Sequence, residues 1–145
     1  MNEMTEITAD APADVLRLPL LYARFADEGR SDDMVTLFAE VGVMDVGARV
    51  ARGREELAQF FGPSRPPKDA RQRTKHVITN VQVTEYSADR ASVLSYFQVL
   101  AKQGLTSWGR YIDEVARDAD GEWRIARRVV AVDGPVQDSP PQTSS

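Results

Sequence analysis

The chain has 145 residues, 42% apolar and 28% charged, with a net charge of −4, which fits one globular domain with a single core and no general attraction for nucleic-acid backbones. It contains no cysteine and one histidine, which excludes disulfides, thiolate chemistry and a multi-histidine zinc site within one chain. No apolar run approaches the roughly 20 residues that cross a bilayer, and the acidic start lacks a basic or apolar leader, so no membrane partner and a cytoplasmic location are expected.

Residues 1–13 carry little apolar content and are expected to be frayed. Leu16, Leu20, Leu21 and Phe25 then recur at helical spacing, with Tyr22 and Ala26 beside them. Pro19 either starts or kinks this helix, and Gly29 ends it. Ser31, Asp32 and Asp33 read as the start of a second helix, a hydroxyl cap followed by carboxylates, with Met34, Leu37, Phe38 and Val41 as its buried stripe. Residues 43–50 form an extended segment interrupted by Gly47, and a third helix follows Gly53 with Leu57, Phe60 and Phe61 inward.

Arg65, Lys68, Arg71, Arg73 and Lys75 lie in a loop broken by Pro63, Pro66 and Pro67. It reads as a solvated segment, and no nucleic-acid partner is expected. The remainder turns to period two, with strands near 75–86, 91–102, 105–117 and 122–133 separated by turn signals. Short turns imply antiparallel neighbours, so the class is α+β, a curved meander preceded by three helices. Both faces of these strands carry large apolar groups, such as Val93 and Phe97 against Leu94 and Tyr96. Three helices cover only one face, so a homodimer is expected. The domain spans 14–133, and the proline- and serine-rich tail 134–145 is expected to be disordered.

The strand opening at Lys75 holds the lone histidine. Strict alternation sends His76, Ile78 and Asn80 to one face and Val77, Val81 and Val83 to the other. An imidazole and a carboxamide on one face need partners, which means a satisfied network or a site.

Several segments in this order, Leu21-Tyr-Ala-Arg-Phe-Ala-Asp-Glu-Gly, Leu37-Phe-Ala-Glu, Arg52-Gly-Arg-Glu-Glu-Leu-Ala-Gln-Phe-Phe, His76-Val-Ile-Thr-Asn-Val and Gly109-Arg-Tyr-Ile-Asp-Glu with Gly121-Glu-Trp-Arg-Ile-Ala-Arg-Arg, resemble the SnoaL-like branch of the nuclear transport factor 2-like superfamily. The resemblance implies a cone-shaped α+β barrel, a curved antiparallel sheet wrapped around three N-terminal helices, with an apolar pocket and usually a homodimer. It does not imply one chemistry, since members include dehydratases, isomerases and polyketide cyclases. Asp27 and His76 match the aspartate and histidine pair of scytalone dehydratase-like and hexachlorocyclohexane dehydrochlorinase-like members, although this chain has no second histidine. Tyr22 and Asp113 match a ketosteroid isomerase-like pattern, whose base position falls nearest Asp45, one residue out of register.

A carboxylate holding one ring nitrogen of a histidine leaves the other free to move a proton. His76 is thus the candidate base and Asp27 its orienting partner. Tyr22, Asn80 and Asp113 are candidates to hold a developing negative charge, with Tyr96 and Tyr111 as pocket wall. The expected activity is a cofactor-independent, metal-free lyase or isomerase, dehydratase-like, on a small hydrophobic ring compound. The alternatives are a ketosteroid isomerase-like or polyketide cyclase-like isomerisation, a non-catalytic binding module and a dimerising domain.

Overall fold

The computed structural model describes residues 12–67 and 74–135. Three helices, α1 (Ala13–Asp27), α2 (Ser31–Thr36) and α3 (Gly53–Phe61), accompany six strands: β1 (Phe38–Asp45), β2 (Val50–Arg52), β3 (Lys75–Tyr86), β4 (Arg90–Ala101), β5 (Gly104–Arg117) and β6 (Trp123–Pro135). The strands form one open sheet in the order β2-β1-β6-β5-β4-β3. The run from β3 to β6 is an antiparallel meander, as the short turns require, and β1 joins it parallel to β6. This one parallel pairing, and the short β2 hairpinned onto β1, lie outside the antiparallel sheet expected from sequence.

The helices sit on one face of the sheet, with α1 lying against β3, β4 and β6. Val15, Phe38, Leu57 and Ile125 are fully buried between the layers, joined by Val83, Val93, Phe97 and Val115 from the inward faces of the strands. The helical stripe of α1 is rotated from the expected one. Val15, Leu18, Tyr22 and Ala23 are buried, whereas Leu20 is 49% exposed. The helix runs through Pro19, which is itself buried.

Two boundaries differ from the sequence reading for identifiable reasons. The second helix stops at Thr36, so Phe38 and Val41 belong to β1 and Val41 is 82% exposed; an apolar run this short fits either period, and pairing of Phe38 with Ile125 on β6 decides for the strand. Ser31 lies inside α2 instead of capping it, and its hydroxyl donates to the Phe61 carbonyl. At the ends, α1 already begins at Ala13, and Gly134 and Pro135 complete β6. The expectations for residues 1–11, 136–145 and the loop cations Lys68, Arg71 and Arg73 lie outside the described residues.

Two irregularities of the sheet set which side chains reach the interior. On β3, Thr79 lies opposite Tyr96 and Gln82 opposite Leu94, so β3 carries one residue more than β4 in this interval. Asn80 takes up the excess with φ +53°, a left-handed conformation that asparagine tolerates better than most residues. On β6, Arg127 lies opposite Glu114 and Ile125 opposite Val115, with Ala126 as the extra residue. Strict alternation is therefore broken on both strands.

Candidate active site

Asp27 is the last residue of α1, and the chain turns sharply after it. The Gly29 N–H donates to the Ala26 carbonyl and the Arg30 N–H to the Phe25 carbonyl, the paired bonds of a glycine-terminated helix, with the Arg30 guanidinium over the Phe25 ring. Gly29 has φ +67°, and a Cβ there would lie 2.1 Å from the Arg65 carbonyl oxygen, so only glycine fits this turn. A carboxylate at a helix C-terminus is disfavoured by the helix dipole. Asp27 offsets this through β3: it accepts the His76 backbone N–H at 2.9 and 3.2 Å and faces His76 Nδ1 at 2.7 Å.

The same carboxylate thus clamps the start of β3 and orients its imidazole. With Nδ1–H donating to Asp27, Nε2 carries the lone pair. Both side chains are partly buried. They lie in a cleft of about 390 Å³ whose lining includes Leu20, Ala23 and Arg24 from α1 and Ile78 from β3. Arg24, at this mouth, donates to Glu28 at 3.1 Å, a hydrogen bond that holds the Glu28 carboxyl below the usual range. Leu20, Ala23 and Ile78 give the cleft an apolar side, while the Arg24–Glu28 pair and Lys75 give it a charged one.

Behind the dyad is a buried cluster. Arg128 forks Asp113 through Nε at 2.8 Å and Nη2 at 2.7 Å, both residues being fully enclosed. Its guanidinium lies 4.2 Å from the Tyr22 ring centre and 4.1 Å from that of Tyr111, and Phe97 stacks on Tyr111. Burial works against the Arg128 charge, but the Asp113 carboxylate and its hydrogen bonds outweigh it and keep the guanidinium protonated. Arg128 Nη1 and Ser95 Oγ are buried without a hydrogen-bond partner among the described residues. Tyr22 donates its hydroxyl to the Met44 sulfur at 3.8 Å.

The candidates from sequence separate accordingly. Asp27 and His76 meet, and Tyr22, Tyr111 and Asp113 gather around Arg128. Asn80 does not join them; it is exposed at the bulge and serves the backbone. Tyr96 is 44% exposed and does not line the pocket either, because it alternates with the inward-facing Ser95 and Phe97. Asp113 is an ion-pair partner, not an isolated hydrogen-bond donor. Met44 is buried and occupies the inward place on β1, while Asp45 pairs with Arg127 at 2.7 Å on the other face, consistent with the one-residue offset read from sequence. Sequence reasoning did not place Arg128 in the interior, because its inward position depends on the bulge at Ala126.

Burial pushes the phenols of Tyr22 and Tyr111 above the ordinary tyrosine range, with Arg128 opposing the rise at Tyr22 and Tyr22 itself adding to it at Tyr111. A folded-state pKa raised above the unfolded one contributes stability that is complete below about pH 10 and is lost as pH climbs toward the folded value. The thermal midpoint should therefore fall above about pH 10. Tyr22→Phe should flatten that fall, and the phenolate absorbance lost in this variant should appear in wild type only together with unfolding.

A curved sheet over helices, with the hydrogen-bonded Asp27 and His76 at the mouth of the layer, defines an α+β cone. The chain belongs to the SnoaL-like domain family, whose model matches residues 8–129. Among solved structures it resembles a protein of unknown function with a cystatin-like fold from Nostoc punctiforme, at 22% identity and TM-score 0.73, covering 94% of this chain and 98% of that one. It is also similar to a candidate scytalone dehydratase from Novosphingobium aromaticivorans, at 19% identity and TM-score 0.68, covering 92% and 93%. ActVI-ORFA from Streptomyces coelicolor is a further relative in fold, at 22% identity and TM-score 0.70, covering 83% and 96%. A search of curated protein sequences finds no match.

Proposed function

We propose that the protein is a cofactor-independent lyase of dehydratase type acting on a small hydrophobic ring compound, with His76 as its acid–base group and Asp27 as its orienting partner. The observation that carries this reading is the 2.7 Å contact between His76 Nδ1 and Asp27, set in a cleft with apolar walls. In the reaction, Nε2 takes a proton from the carbon adjacent to that bearing a hydroxyl group. The C–H electron pair becomes the new double bond, and the hydroxyl leaves as water with the proton returned by the imidazolium. Asp27 stabilises the imidazolium between the two transfers.

Hydroxylated ring ketones and partly reduced hydroxyaromatics are the compounds to test, followed by the absorbance of the conjugated product. Release of water with wild type and not with Asp27→Asn or His76→Ala supports the reading. Ligand binding with no turnover across such a panel would replace it with the binding-module reading. An isomerase of the ketosteroid type is less well supported, because the inward place on β1 is held by the thioether of Met44.

The outer face of the sheet supports a homodimer as part of this proposal. Tyr96, Trp108 and Ile112 share the outward parity of β4 and β5 and are exposed, and no helix of the described residues covers them. Wild type should sediment at twice the chain mass, and Ile112→Glu should sediment as a monomer; equal masses for the two would remove the sheet face as the interface.

A further inference from the structure

The geometry points to Asn80 as the positioning residue of the dyad: by absorbing one surplus residue in β3, it lets His76 and Val83 face the interior together. This rests on the reading of His76 and Asp27 as the working pair, but it concerns how the pair is built, not what it does.

The parity argument is simple. Side chains on a regular strand alternate, so residues seven positions apart point to opposite faces. His76 and Val83 are seven apart, yet His76 reaches Asp27 at the end of α1 and Val83 is buried in the core. Opposite them on β4, Val99 pairs with His76 and Val93 with Val83, six positions apart and so on one face. β3 must therefore lose one residue from its alternation, and it does so between Thr79 and Gln82, where Asn80 adopts φ +53°. Were the same sequence to run without the bulge, burying Val83 would turn His76 to the outer face.

The device recurs at a second charged residue, Arg128 of the interior. Ile125 and Arg128 on β6 are three apart and both buried, with the surplus Ala126 between them. The inward-facing residues on β4, Ala91, Val93, Ser95 and Phe97, keep a single parity. At both of these bulges, one side of the surplus residue carries core packing and the other carries a titratable side chain.

Glycine enters the left-handed region freely, asparagine with tolerance, and β-branched residues only under strain. The test reads the hydrogen bond and not turnover. Long-range ¹⁵N–¹H spectra of the imidazole report which ring nitrogen carries the proton, and the chain has one histidine, so the ring signals belong to His76 alone. Wild type should show the Nδ1–H form, with a downfield, slowly exchanging proton.

Asn80→Gly should retain that signature and Asn80→Ile should lose it. Deleting Asn80 should also retain it, because a strand shortened by one residue needs no bulge to bring positions 76 and 83 to one face. Inserting an alanine between Val77 and Ile78 should abolish the signature, since the new surplus is uncompensated. Retention in the insertion variant, or loss in a folded deletion variant, overturns the proposal. If the deletion variant does not fold, the glycine and isoleucine variants decide: equal signatures in both overturn it, and loss confined to isoleucine supports it. Should wild type carry the signature and yet turn over no ring compound, the functional reading fails while the parity argument stands.

Discussion

Replacing His76 by alanine is expected to lower the proposed lyase activity by about 10²- to 10⁴-fold, the usual contribution of a positioned acid–base group, while leaving the thermal midpoint nearly unchanged. The asymmetry comes from the way Asp27 is used. Its carboxylate holds both the imidazole and the backbone N–H of His76, and only the first is lost on truncation. The α1 to β3 clamp therefore survives, and the freed oxygen lies at a cleft where water can replace the ring. Asp27→Asn should reduce turnover comparably and also cost some stability, because it weakens the clamp itself. Paired measurements of kcat and Tm on the two variants check this. A His76→Ala protein that keeps full activity would remove the dyad from the mechanism, and one that fails to fold would make His76 structural.

The largest stability effect is expected at the enclosed ion pair. Asp113→Leu strands the Arg128 guanidinium between Tyr22 and Tyr111 with no counter-charge, which typically costs about 3–5 kcal/mol. For a domain of this size, that corresponds to a Tm lowered by roughly 10–20 °C. The double variant Asp113→Leu with Arg128→Met should recover most of the loss, because removing both charges removes the desolvation problem together with the attraction that solves it. Urea unfolding of the two single variants and the double variant measures the coupling. Additive losses would mean that the pair acts as two independent residues, contrary to its bidentate geometry at 2.7 and 2.8 Å.

The class of fold, and the meeting of Asp27 with His76, could be read from local pattern and motif. Period-two stretches bounded by turn signals placed the four long strands within a residue or two of their observed limits, because alternation and turn chemistry are local properties. Asp27 and His76 were legible through resemblance in motif and through chemical type: a lone histidine on a strand, and a carboxylate at a helix end that the dipole disfavours.

Each remaining point turns on pairing between distant segments, which only the folded chain brings together. The apolar run around Phe38 became strand because β6 was available to pair with it. Asn80 left the site, and Arg128 entered the core, because bulges measured against the neighbouring strands reversed the alternation that sequence alone must assume. Tyr96 and Tyr111 are both aromatic strand residues, yet one lies outside the cone and the other against Arg128. Which face a strand residue takes is set by register, and register is a relation between strands that no single stretch of chain contains.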